Sequence, residues 1–164
     1  MNKINDNKPL FSVILPTKGR PKLTRLVVDS VLSQDFSDYE LIVVDNDDAQ
    51  ETFQSLNGLF DHPKFRYIRT GELSMLDNWN AAFEYFNGKY LLWMDSKSFF
   101  YPHAFQELSR FINDQKKPEA VSWKYDFAHD SGSETKFVRI MPHKISERLS
   151  SDVLEEFINY RLDR

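Results

Sequence analysis

Apolar residues in this chain fall in short runs closed by polar or turn-forming residues, and these runs alternate with stretches whose apolar positions recur every three or four residues. Residues 11–15 form one such run, closed by Pro16, and residues 41–44 form another, closed by Asp45 and Asn46; both predict buried strands. Between them, residues 21–34 place Leu23, Leu26, Val27, Val31 and Leu32 on one helical face, with Pro21 suited to a helix start. A strand, a helix and a buried second strand imply parallel pairing through a right-handed crossover. The alternation continues with a helix over 49–60, a strand over 65–69, an amphipathic helix over 75–86 stopped at Gly88, and a strand over 90–94. A helix over 102–113 and a fifth strand over 120–125 follow. The expected fold class is α/β, a three-layer sandwich around a mostly parallel, doubly wound sheet. After Phe127 the regularity weakens. Residues 128–135 read as loop, 137–141 as a strand, and 151–162 as a capped helix whose apolar side (Val153, Leu154, Phe157, Ile158, Leu162) needs a partner surface.

With 41% hydrophobic residues among 164, the chain can bury one full core, and one domain is expected. Its formal net charge of -4 argues against nucleic acid as the main partner, because neutralising phosphates takes a concentrated basic face. The absence of cysteine excludes disulfides, a thiolate nucleophile and cysteine-ligated metal, and fits a cytoplasmic location, with attachment to a membrane surface as an alternative. No apolar run approaches bilayer-spanning length. The 14 phenylalanines suggest a thick core, a hydrophobic interface, or a surface left bare by a missing segment.

In open α/β sheets ligands bind beyond the carboxyl ends of the strands. The loops there are polar: Pro16-Thr17-Lys18-Gly19-Arg20-Pro21 after the first strand, Asp45-Asn46-Asp47-Asp48 after the second, and Asp95-Ser96-Lys97-Ser98 after the fourth. A nucleotidyltransferase on a related sheet is disfavoured, because its glycine-rich phosphate loop is absent and the first loop has only Gly19.

Several motifs in order resemble the inverting family 2 glycosyltransferases, enzymes of the GT-A, Rossmann-like fold that use nucleotide-diphosphate sugars. They are the opening strand Phe11 to Thr17 with Gly19-Arg20-Pro21, then Ser30-Val31-Leu32-Ser33-Gln34, and then Tyr39 to Asn46. Asn78-Trp79-Asn80-Ala81-Ala82, Gly88-Lys89-Tyr90 and Pro102 complete the set, which covers about the first two-thirds of the chain. The resemblance implies a nucleotide-diphosphate-sugar-binding domain over 1–127, with 128–164 an incomplete acceptor-side extension belonging to the same domain. Pro16 and Thr17 would line the base pocket, Arg20 would lie toward phosphate or base, and Asp45 and Asn46 would meet the nucleoside. Capping of the next helix is the plainer reading of residues 45–48. Asn78 and Asn80 are two apart on a helix and cannot easily face one ligand, so one is structural; Asn80 is carried into the candidate site. Trp79, Phe83 and Phe86 are expected in the core.

The family's Asp-X-Asp motif sets its first carboxylate near the ribose and its last on a divalent cation bridging the diphosphate. Here Asp95 and Ser96 are followed by Lys97, and an ammonium cannot ligate a metal. Three readings stay open. Lys97 supplies the positive charge itself, the site has degenerated, or another carboxylate holds Mg2+ or Mn2+ with Lys97 in solvent. The resemblance assigns no catalytic base. Asp126, Asp130, Asp152, His103, His129 and His143 have no supporting spacing, and surface acids are the stronger expectation. The expected function is transfer of a sugar from a nucleotide-diphosphate donor, UDP-linked for preference, to a saccharide or other hydroxyl acceptor with inversion. The alternative is an impaired nucleotide-sugar-binding or scaffolding module. The 151–162 helix is expected to dock on the sheet, to pair with another copy in a homo-oligomer, or to belong with a missing C-terminal segment, since the resemblance implies a further acceptor-binding portion.

Overall fold

A computed structural model of the protein describes residues 8–121, 127–130 and 135–138. The chain divides into two compact units, Met1–Arg110 and Phe111–Arg164. The first contains β1 (Phe11–Thr17), α1 (Pro21–Leu32), β2 (Tyr39–Asp45), α2 (Glu51–Ser55), β3 (Phe65–Arg69), α3 (Met75–Ala82), β4 (Tyr90–Trp93) and the start of α4 (Ala104–Asp114).

Four strands form an all-parallel sheet in the order β3-β2-β1-β4. Every residue of β1 is buried, and every residue of β2 except Glu40. This is the pattern of strands covered on both faces, and it explains why they read as continuous apolar runs. On one face Ile14, Ile42 and Val44 pack with Ala82 of α3, flanked by Ile68, Tyr85, Leu91 and Trp93. On the other, the Phe105 ring lies 5.6 Å from Phe11 and 5.1 Å from Tyr39. The expected three-layer α/β architecture is therefore present.

The buried stripe of α1 is Thr24, Val27, Val28 and Val31, at spacings of three, four and seven. Leu23 and Leu26, expected on that face, are 39% and 54% exposed. The α-helices after β2 and β3 are shorter than the apolar pattern implies. Residues 49–60 yield only the five-residue α2. α3 stops at Ala82, and the chain tightens into i→i+3 bonds through Tyr85 (Glu84 N to Ala81 O, 3.1 Å; Tyr85 N to Ala82 O, 3.3 Å). Phe83 and Phe86 consequently lie beyond the helix and are 47% and 39% exposed rather than core, although Phe83 still stacks on Trp93 at 5.1 Å.

Gly88 does not end a helix; it lets two backbones touch. A Cβ there would meet Ser12 N at 2.6 Å and Phe11 C at 2.9 Å, and its N–H donates to Ser12 Oγ at 2.7 Å. Gln34, at the end of the Ser30–Gln34 motif, is also structural. Its amide donates to Tyr101 O (2.8 Å) and accepts from Phe105 N (3.2 Å), tying the end of α1 to the first turn of α4.

The second unit opens with the last turn of α4, followed by Lys116 and Lys117 at φ 57 and 63. It also holds an antiparallel pair, β5 (Phe127–Asp130) with β6 (Thr135–Val138). Residues 128–135, expected as loop, thus supply strand at both ends. Of the expected strand over 120–125, Ala120 and Val121 are not in strand and the rest lies outside the described residues, as does the expected helix over 151–162. No helix among the described residues is long and apolar enough to cross a membrane.

Candidate functional site

The strand order reverses between β1 and β4, which opens a crevice at their carboxyl ends. After Thr17 the chain turns at Gly19 (φ 61), whose missing Cβ would sit 3.5 Å from Asp47 Oδ2. Pro21 then occupies the first turn of α1. Arg20, at the N-cap position, makes no side-chain cap bond. Its guanidinium instead reaches over the crevice, where Nη1 donates to Ser96 Oγ at 3.2 Å. This bond joins two candidate residues from loops 76 positions apart in sequence. Thr17 is nearly buried and its hydroxyl shares a 2.7 Å hydrogen bond with Thr24, while Pro16 is buried within β1.

Asp45 ends β2 fully buried. Its Oδ2 accepts from Tyr67 Oη at 2.6 Å and its Oδ1 from Asp47 N at 3.0 Å. Burial pushes the Asp45 carboxyl above its ordinary value, and the Tyr67 and Asp47 bonds oppose that rise. Burial, followed by the bond to Asp45, also pushes the Tyr67 phenol upward. Because Asp45 holds its proton to higher pH when folded than when unfolded, its contribution is most favourable below 3.8. That contribution is lost as pH rises through the folded value. Tyr67→Phe removes a bond that favours the carboxylate, so the carboxyl shifts further up. The variant's stability deficit is expected to be about 1.5 kcal/mol larger at pH 7 than at pH 3.5. Urea unfolding at both pH values checks this, and a deficit independent of pH would contradict it.

Asn46 is equally enclosed. Its Nδ2 donates to Leu73 O (2.7 Å), its backbone N–H to Thr17 O (3.2 Å), and its Oδ1 accepts from Asn78 Nδ2 (3.2 Å). Asn78 is the structural member of the asparagine pair. It also donates to Val44 O at 3.1 Å and accepts from Thr70 Oγ1 at 2.6 Å. Asn80 is exposed. The structure thus separates the candidates into two groups. Arg20, Asp95, Ser96 and Lys97 cluster at the crevice between β1 and β4. Asp45 and Asn46 shape the end of β2 from within.

Tyr67 and Thr70 had gone unnoticed in the sequence. The available signal was register: Val43 pairs with Tyr67 and Asp45 with Arg69, so Tyr67 shares the face of Asp45. A pocket of about 170 Å³ lined by Ala49, Gln50, Phe53, Tyr67 and Arg69 adjoins this pair. Arg69 Nη2 donates to Asp48 O at 2.6 Å beside it.

In the β4 loop, Asp95 Oδ1 accepts from Lys97 N at 2.7 Å and from Ser98 Oγ at 3.0 Å, which folds the loop back on its first residue. Ser96 is nearly buried; Asp95 and Lys97 are exposed. A hard divalent cation takes about six oxygen ligands. Asp95 has one oxygen already engaged, Lys97 can offer none, and no group of three or more His, Cys, Asp or Glu among the described residues could hold a metal ion. Among the described residues, the side chains of this loop thus offer a cation one free carboxylate oxygen, Asp95 Oδ2.

A parallel sheet with reversed strand order and three polar loops at its carboxyl edge defines a doubly wound, Rossmann-like α/β protein. The chain belongs to glycosyl transferase family 2, whose family model matches residues 12–153. The putative colanic acid biosynthesis glycosyl transferase WcaA of Escherichia coli is 29% identical over 129 residues, covering 76% of this chain and 43% of that protein. An uncharacterized glycosyltransferase of Rickettsia felis is 22% identical over 133 residues, covering 80% of this chain and 22% of that protein. The chain therefore spans less than half the length of these relatives. Among solved structures, S. aureus TarS 1–349 in complex with UDP matches with a TM-score of 0.58 at 24% identity, over 65% of this chain and 32% of that one. The mannosyltransferase PcManGT of Pyrobaculum calidifontis, in complex with GDP-Man and Mn2+, matches with a TM-score of 0.50 at 20% identity, over 58% of this chain and 30% of that one. At these identities the structures establish the GT-A, Rossmann-like fold.

Proposed function

We propose that the chain is the donor-binding portion of a glycosyltransferase, holding a nucleotide-diphosphate sugar over the carboxyl ends of β1, β2 and β4. The observation that carries this reading is the Arg20–Ser96 bond across the strand-order reversal, which brings the β1 and β4 loops into one site. Pro16 and Thr17 floor the nucleoside side, with Asp45 and Asn46 setting the loop's shape there and Asn80 at the margin. Asp95, Ser96, Lys97 and Arg20 meet the ribose and diphosphate. UDP-sugars are the first donors to test, because UDP and UDP-GlcNAc are bound by TarS, whose fold matches this one more closely than that of the GDP-Man-bound enzyme.

Transfer proceeds by single displacement with inversion. The acceptor oxygen bonds to the anomeric carbon, the bond from that carbon to the diphosphate oxygen breaks with its electron pair leaving on the diphosphate, and the acceptor proton passes to a base. Titration calorimetry against UDP-, GDP- and dTDP-sugars, with and without Mg2+ or Mn2+, is expected to give binding to one nucleotide class. No binding to any would overturn the donor site. Lys97 at the cation position favours a second reading, an impaired nucleotide-sugar-binding or scaffolding module. Sugar transfer or donor hydrolysis by the purified chain would refute it.

A further inference from the structure

A sugar-linked diphosphate brings roughly one negative charge per phosphate, and a site that draws it from water must supply compensating positive charge. Among the described residues, no group of three or more His, Cys, Asp or Glu at the β1–β4 crevice could hold a metal ion. What the side chains there offer is basic. The Arg20 guanidinium forms no ion pair among the described residues, and its one hydrogen bond there is to Ser96 Oγ at 3.2 Å. Arginine carries five N–H donors, so most of this fork is still uncommitted. The Lys97 ammonium is exposed and has no ion-pair partner among the described residues, while its backbone N–H is held by Asp95 Oδ1 at 2.7 Å.

Among the described residues no carboxylate is ion-paired with Arg20 or Lys97, and the nearby ones have other partners. Asp45 is buried and faces Tyr67, Asp47 Oδ1 accepts from Ala49 N at 3.2 Å, and Asp95 Oδ1 is taken by its own loop. Arg20 is also tied to the loop that carries Lys97, since its partner Ser96 immediately precedes that lysine. One cation therefore comes from each side of the strand-order reversal, and the two loops are joined by a hydrogen bond.

We propose that Arg20 and Lys97 form a two-sided clamp that holds the donor diphosphate directly, in place of a divalent cation. The proposal rests on the donor-site reading above and specifies how its charge is met. Arg20 is suited to two-point contact with phosphate oxygens, and Lys97 acts as a point charge. Binding is then independent of metal and depends on both side chains.

The test is titration of the full chain with UDP, GDP and dTDP and, separately, with uridine, in EDTA and in Mn2+. UDP is expected to bind in EDTA with an affinity that Mn2+ changes by less than about twofold. Arg20→Ala and Lys97→Ala are each expected to weaken UDP about tenfold, as for loss of a charge-assisted phosphate contact, with uridine affinity and melting temperature unchanged. Both side chains are exposed, so the variants should fold. UDP binding that requires Mn2+, or that survives both substitutions, overturns the clamp and leaves the donor site standing. Failure of the wild-type chain to bind UDP, GDP or dTDP in either condition overturns both.

Discussion

Asn78→Ala is expected to lower the unfolding free energy by about 3 kcal/mol, a large effect for a residue that touches no ligand. Asn78 is 2% exposed and serves three partners with one amide: Val44 O, Asn46 Oδ1 and Thr70 Oγ1. Truncation leaves Asn46 Oδ1 without a protein partner and takes one bond each from Val44 O and from Thr70 Oγ1, which keeps a 3.2 Å bond to Asp45 O. Each orphaned buried group costs roughly 1–3 kcal/mol, reduced where water enters the space left behind. Asn46 would keep its bond to Leu73 O but lose the contact that orients its amide oxygen. Nucleotide affinity should therefore fall as well, through loss of shape at the end of β2. Urea unfolding measures the first effect, and a loss under 1 kcal/mol would show that the network is replaced by water. An equivalent change at exposed Asn80 should leave stability within about 0.5 kcal/mol of the wild type.

That contrast marks how far the sequence could be read. Two asparagines two positions apart on a helix had to diverge, because helical geometry forbids both from facing one ligand. Which of them turned inward depended on what lay beneath α3. The answer was Val44 O at the end of a strand 34 positions earlier, a partner invisible to local pattern. The parallel strands were legible for a simple reason: burial on both faces forces nearly unbroken apolar runs. Helix ends were less so. Phe83 and Phe86 continue an apolar spacing that the backbone does not follow past Ala82, because spacing reports which side chains are apolar and says nothing of when the i→i+4 ladder gives way.

The candidate site shows the same division. Arg20, Asp95, Ser96 and Lys97 stand in loops directly after apolar runs, so topology alone brings them to one edge of the sheet. Asp45 and Asn46 also follow an apolar run, and their nucleoside role is what the family resemblance implies. The structure gives them further tasks, with every polar side-chain atom of the pair in an internal hydrogen bond. Tyr67 could be found only by counting register across a parallel pair, and that count needs the strand ends to be known first.

The second large effect concerns Asp95, where two substitutions are expected to move nucleotide affinity in opposite directions. Asp95 carries one negative charge toward a diphosphate site, and it also folds its loop by accepting from Lys97 N and Ser98 Oγ. Magnitudes decide which role dominates. At a solvent-exposed distance of about 7 Å in water, the repulsion with one phosphate charge is roughly 0.6 kcal/mol. Ordering a loosened loop on binding costs about 1–2 kcal/mol per residue. Asp95→Ala removes both the charge and the fold of the loop, so the ordering cost prevails and UDP affinity should fall about tenfold or more. Asp95→Asn keeps an oxygen acceptor for the Lys97 N–H and removes only the charge, so affinity should rise up to about threefold. Since Asp95 is exposed, neither change should shift stability by more than about 0.5 kcal/mol. Calorimetric titration with UDP separates the cases. Equal losses in both variants would mean that the carboxylate itself, as an anion, is what the ribose or a cation requires. Opposite signs would mean that Asp95 serves mainly to present Lys97.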